Sequence, residues 1–154
     1  MDQTDTDLLA ALQENAHLTS HELGERLNLS ASQAARRRQR LEQDGIIDHY
    51  AAKLNPDLLG LTVQAFVQVQ MATHAPDKVQ GFARIVNLQP EIVSAWTLTG
   101  EADYLLRVYC PDLASLNRLI HDILLPNPAV ARVQSQIVMN QLKADSALPT
   151  QYGA

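Results

Sequence analysis

The sequence predicts a two-part α+β chain, and three patterns carry that reading. Three helix-start signatures crowd into the first fifty residues. The apolar period then changes from helical to alternating at Thr62, and the order strand, helix, strand, strand, helix, strand fills the rest. The 154 residues, 46% hydrophobic and 19% charged, suffice for a packed core and are too apolar for a disordered chain.

The first helix is predicted from Asp2 or Thr4 as cap to near Asn15, with Leu8, Leu9 and Leu12 on one face. Thr19 and Glu22 stand in capping-box register between Leu18 and Leu23, which are placed to form a hydrophobic staple. Leu23 and Leu27 supply the buried face of that second helix, and Asn28-Leu29 leaves room only for a sharp turn. Ser30 with Gln33 repeats the capping box and starts a third helix, which Gly45 closes. Two helices joined by so short a turn, with an earlier one packed across them, make a helix-turn-helix.

The net charge of −5 excludes a protein that coats nucleic acid through overall positive charge. Yet Arg36, Arg37, Arg38 and Arg40 are a third of the 12 basic residues and sit together with no acid among them. Such a run is also what a solvated helix face looks like. Helical rotation separates the alternatives. With Ala34, Arg38 and Leu41 inward, Ser32, Gln33 and Arg36 face out near the helix N-terminus, where a recognition helix reaches base edges. Arg suits guanine there and Gln suits adenine. Arg37 and Arg40 are expected on phosphate, and Ser30 at the helix start is also expected among the DNA-binding residues. Arg38 is expected to run its stem along the core and to pair with an acid of the first helix.

Residues 45–54, GIIDHYAAKL, are expected to form a short strand acting as wing or hinge, and Asn55-Pro56-Asp57 to break it. From Thr62, Val63, Ala65, Val67, Val69 and Met71 alternate with Gln64, Phe66, Gln68 and Gln70, which makes a strand with one core face and one wet or partner-covered face. Pro76 opens a helix with Val79, Phe82, Ala83 and Val86 inward, and Pro90 ends it. Ile92–Thr99 and Tyr104–Cys110 read as a hairpin around Gly100-Glu101-Ala102-Asp103. Asp112 caps a last helix with Leu116, Leu119, Ile120 and Ile123 inward, and residues 130–142 form the last strand. This βαββαβ order is ferredoxin-like, and its open sheet face invites a second copy. Residues 1–50, a linker 51–61, residues 62–144 and a tail 145–154 are the expected divisions.

The run Leu29 to Ile47, LSASQAARRRQRLEQDGII, with the opening Asp2-x-x-Asp5-x-x-Leu8-Leu9, resembles the DNA-binding half of the Lrp/AsnC family of feast/famine transcription regulators. It departs at Ala34 and Arg38, where that family usually has larger apolar residues. Thr99-Gly100-Glu101-Ala102-Asp103-Tyr104-Leu105-Leu106 is similar to the turn of the family's RAM-type ligand-binding domain, with Ala102 in place of an aromatic. The resemblance implies a winged helix-turn-helix on double-stranded DNA and dimers that assemble into octamers. It also implies an amino-acid or related effector bound where dimers meet. It places Thr97, Thr99, Gly100, Glu101, Asp103, Leu113, Gln136, Ile137 and Val138 in or beside the pocket. Physically, backbone N–H groups around Gly100 suit a carboxylate, and Glu101 or Asp103 an ammonium group. An ordinary hairpin with a polar tip would read the same from spacing alone.

No nucleophile elbow, phosphate loop, dinucleotide fingerprint or metal framework occurs, so no catalytic or metal residues, no cofactor and no enzymatic activity are expected. His17 and His21 straddle a loop and a cap and lack a third ligand. Ser94, Asp103 and His121 have no local sequence that brings a nucleophile to a base. The lone Cys110 lies in an apolar stretch and reads as a buried, inert thiol. Short apolar runs and an acidic start, MDQTDTD, predict a soluble cytoplasmic protein without a membrane span. The competing reading is a metabolite-binding oligomeric module whose first domain contacts protein and not DNA. A third keeps DNA binding but has no effector.

Overall fold

The structure, a computed structural model, describes residues 1–150. Met1–Lys53 together with residues 142–150 form one compact unit, and Leu54–Gln141 form a second.

Three helices build the first unit: α1 (Gln3–Glu14), α2 (Ser20–Leu27) and α3 (Ala31–Gln43). Each begins with a reciprocal capping box, Asp2 with Asp5, Thr19 with Glu22 and Ser30 with Gln33, so orphan N–H groups at each start find side-chain acceptors. Hydrogen bonds from the Thr19 N–H and hydroxyl hold the Glu22 carboxyl below its ordinary pKa. The core is Leu8, Ala11, Leu12, Leu18, Leu23, Ala34 and Leu41, with both staple leucines inside it. The turn between α2 and α3 rests on two features. Asn28 takes a left-handed conformation with φ of 54°, and the Leu29 N–H donates to the Gly24 carbonyl at 2.9 Å. At Gly24 an added Cβ would meet the Leu29 carbonyl oxygen at 2.7 Å, so the tight turn requires glycine inside α2. Gly45, with φ of +70°, closes α3 as its spacing predicts.

The expected wing strand over residues 45–54 does not form. The Ile46 and Ile47 N–H groups both donate to the Leu41 carbonyl, and the chain from 48 to 55 has no regular secondary structure. Near its other end the chain returns to this unit: the Gln13 amide donates to the Leu148 carbonyl at 3.0 Å and accepts from the Leu148 N–H at 2.6 Å.

After one 3₁₀ turn (Asp57–Leu59), the second unit comprises β1 (Val63–Met71), α4 (Pro76–Leu88), β2 (Ile92–Thr97), β3 (Tyr104–Cys110), α5 (Leu113–Arg118, continued to Leu124 as a π-helical turn) and β4 (Val130–Ile137). All neighbours in the order β2-β3-β1-β4 are antiparallel. The core packs both helices against Ala65, Val67, Val69, Leu106, Val108 and Cys110. Burial pushes the Cys110 thiol up, which keeps it protonated and unreactive.

Four expectations shift here. Ala83 is exposed, and Phe82 and Val86 carry the buried stripe of α4. The Leu125 N–H bonds to the Ile120 carbonyl, so the wider helical turn advances the phase and fully buries Leu124, with Ile123 half-buried against the same core. β2 stops at Thr97, and β4 at Ile137 and not at residue 142.

Candidate functional site

On α3 the N-terminal half presents Ser32, Gln33 and Arg36 to solvent while Ala34 and Leu41 are buried. Arg36 makes no hydrogen bond or ion pair among the described residues. Ser30 is spent on the cap: its hydroxyl accepts from the Gln33 N–H at 3.2 Å, and it lies 3.1 Å from the Ser32 hydroxyl. The Gln33 side-chain carbonyl accepts from Ser30, which leaves the amide nitrogen as the free end of that side chain.

The other three arginines are engaged. Arg37 donates to Asp2 at 2.7 and 2.9 Å and to Asp5 at 2.7 Å, and Arg40 donates to Asp5 at 2.6 Å. Asp5 is 1% exposed, and it also accepts from the Asp2 N–H. The Arg37 hydrogen bond holds the Asp2 carboxyl below its ordinary pKa, and Arg37 itself rises. Arg38 does not pair with an acid of the first helix. Its guanidinium meets the Leu18 carbonyl at 3.0 Å, Glu42 at 3.1 Å and the Tyr50 hydroxyl at 3.0 Å, and it lies 4.8 Å from the centre of the Tyr50 ring. Burial works against the Arg38 charge, but hydrogen bonds to Glu42 and Tyr50 outweigh it and raise its pKa. The arginine that a helical wheel turns inward is therefore a bracket for the segment after α3.

In the second unit the nine candidate effector residues fall into two groups. Thr97, Thr99, Gly100, Glu101 and Asp103 cluster in the β2–β3 turn beside the end of β1. There Asp103 accepts from the Met71 N–H at 2.7 Å and stands 3.5 Å from His74, while its own N–H donates to Val69. Gln136, Ile137 and Val138 lie near the start of β1, where Gln136 pairs with Phe66, Ile137 with Ala65, and the Val138 N–H donates to Gln64. Leu113 shares a shallow groove with Ile137. Along β1 the groups are about 16 Å apart at ~3.3 Å per residue. A single chain does not bring them together.

Gly100 has φ of +122°, yet nothing lies within 4 Å of where its Cβ would be. Backbone conformation and not close approach requires glycine there. Glu101 lies 3.8 Å from Arg132, and with Ala102, Gln68, Gln70 and Gln134 they line a cleft of ≈ 50 Å³. Their glutamines belong to the polar face of β1 and β4, and that alternation was the one signal in the sequence. The open face also carries Phe66, Trp96 and Leu105, with Trp96 46% exposed.

The family described as Lrp/AsnC ligand binding domain matches residues 64–148, more than half of the chain, and that described as winged helix-turn-helix DNA-binding matches residues 1–48. The chain belongs to the Lrp/AsnC family. Its members are transcription regulators that join a DNA-binding helix-turn-helix to a ligand-binding domain. Among relatives, the DNA-binding transcriptional activator DecR of Escherichia coli (strain K12) is 33% identical over 149 residues, 97% of this chain and 98% of that protein. The leucine-responsive regulatory protein of the same strain is 32% identical over 148 residues, 96% and 90% of the two chains. A Neisseria meningitidis transcriptional regulator solved in complex with L-Met is 39% identical with a TM-score of 0.94, covering 99% of this chain and 98% of that one. An AsnC family regulator from Agrobacterium tumefaciens is 32% identical with a TM-score of 0.91, covering 99% of each.

For this Lrp/AsnC chain the α+β reading and the helix-turn-helix followed by βαββαβ hold. Gly24, which the turn geometry requires, was missed, because a glycine inside a helix gives no local sign of what approaches it. No group of three or more His, Cys, Asp or Glu residues able to hold a metal occurs among the described residues. No helix among them is long and apolar enough to cross a membrane.

Proposed function

We propose that this regulator reads double-stranded DNA through the exposed N-terminal half of α3, and that an amino acid controls its assembly. Arg36 is the observation that carries the first half. It is exposed on a firmly capped helix and has no partner among the described residues, whereas its three arginine neighbours all do. A bidentate contact to guanine is the natural use of such a group. Ser32 and the amide nitrogen of Gln33 flank it, and Ser30 holds the helix start that places them.

The divided effector residues support the second half. Of the nine candidate residues, only Glu101 lines the cleft beside the turn. The turn group, centred on Glu101 and Gly100, and the β4 group, Gln136, Ile137 and Val138 with Leu113, form one pocket when they come from different copies. Assembly of dimers to an octamer through such contacts would bind effector only where dimers meet, so ligand and assembly shift together. The related proteins named for leucine and solved with L-Met make an apolar amino acid the first candidate.

The test is selection of bound duplexes from a random pool, with and without each of the twenty amino acids. Enrichment of a pseudo-palindrome with half-sites about one turn apart is expected. Arg36→Ala should then weaken binding by about 1–3 kcal/mol and relax one base position. No enrichment, and no retardation at low salt, would leave the rival reading of a protein-contact module.

A further inference from the structure

Resting on the reading that α3 contacts DNA, we propose that Asp5, aided by Asp2, is a positioning residue for DNA binding: it keeps Arg37 and Arg40 off the phosphates and fixes the aspect of α3. The sequence puts both arginines where a recognition helix grips the backbone. The structure turns both back onto the start of α1. Asp5 is 1% exposed, and its two carboxylate oxygens are divided between the guanidiniums, Oδ1 to Arg37 and Oδ2 to Arg40. Asp2 adds two further bonds to Arg37 from a half-exposed position. A buried carboxylate requires charged partners, and these two are its partners, so releasing either arginine to a phosphate would remove one of its two compensating charges.

Two consequences follow for recognition. Positive charge on α3 without an acidic partner is reduced to Arg36, which sits on the base-reading face. Sequence-independent affinity, which scales with the number of phosphates neutralised, is thereby held down relative to specific affinity. The Arg37 and Arg40 contacts also tie the middle of α3 to the first turn of α1, which sets the face that α3 offers.

The experiment measures binding of the full chain to its selected duplex and to an unrelated duplex across salt concentrations, for wild type, Asp5→Asn, Asp2→Asn and Asp7→Asn. Asp7 is exposed on the same helix, bonds Gln3 and contacts no arginine, so its change removes equal charge without freeing a guanidinium. Asp5→Asn is expected to steepen the salt slope by about 0.9 for each arginine released per DNA-bound copy and to tighten unrelated-duplex binding about threefold at low salt. The ratio of specific to non-specific affinity should fall. Asp2→Asn should do the same more weakly, and Asp7→Asn should leave the slope at the wild-type value.

A role confined to stability would lower affinity with the slope unchanged, and that result in Asp5→Asn and Asp2→Asn overturns the proposal. An equal steepening in Asp7→Asn overturns it as well, by assigning the effect to bulk charge. Should Asp5→Asn fail to fold, Asp2→Asn decides, because Asp2 is half-exposed. Arg36→Ala in the same assay separates the two ideas: normal specific binding there removes the base-reading role of α3, while unchanged slopes in the aspartate variants remove only the role of Asp5.

Discussion

The two units solve different problems with their polar groups. In the first, the candidate site lies on one face of one helix, and the neighbouring charges are consumed internally: Asp5 takes Arg37 and Arg40, and Leu18, Glu42 and Tyr50 take Arg38. In the second, the candidate residues sit at opposite ends of β1, and the sheet face carrying Trp96 and Phe66 is left open. A site on a single helix is complete in one chain. On the proposed reading, a site divided across a sheet is completed by another copy, which would make binding depend on assembly.

The largest effect that would break this contrast comes from Leu8→Ala. Leu8 is fully buried, and its truncation should cost about 2–5 kcal/mol. If the units are independent, the part of the helical ellipticity that comes from α1 to α3 melts early while Trp96 fluorescence, reporting the second unit, keeps its own transition. Coincident transitions would show one cooperative body.

Gly24→Ala ranks next. The new methyl would press on the Leu29 carbonyl, a backbone atom with little room to yield, at about 1–3 kcal/mol. DNA affinity should fall with stability of the first unit, and effector-induced change in assembly should persist in sedimentation. Gly100→Ala is its counterpart. It meets no atom, but a φ of +122° strains any L side chain, costing about 1 kcal/mol or slightly more. Here the amino-acid response should weaken while DNA binding by the first unit is retained. Loss of DNA affinity instead would place the turn in the wrong role.

Acid sharpens the comparison with the smallest effect. Asp2 and Glu22 in the first unit, and Asp112 in the second, have folded pKa values depressed by their hydrogen bonds to Arg37, Thr19 and the Ser115 N–H respectively. Depressed carboxylates contribute stability above their ordinary values of 3.8 and 4.5, and that contribution disappears as pH falls through the lower folded values. Helical signal from the first unit should therefore soften below about pH 4, ahead of the Trp96 signal. The reverse order in a pH titration would deny the caps their role.

Much of this was legible in the residues because it is local. The Thr19/Glu22 and Ser30/Gln33 boxes, the alternation from Val63 to Met71 and the Asp112 cap each act within a few positions, and the structure follows them. The wing strand over 45–54 was not found, because a strand exists only with a partner, and Tyr50 is held by Arg38 and Glu42 instead. Leu124 is fully buried beside a half-buried Ile123 through a π-helical turn, which changes the phase without changing the composition.

The sequence by itself determined the order of the helices and of the four sheet strands, the helix caps and the core face of β1, since those follow from period and from hydrogen bonds between near neighbours. Tertiary structure alone decided which charges are free. Four arginines in five positions look alike along the chain, and only the packing of α1 against α3 puts a buried carboxylate beside Arg37 and Arg40 and leaves Arg36 in water. Electrostatic partnership depends on distance through space, and the 32 to 35 residues between those partners carry no local trace of it.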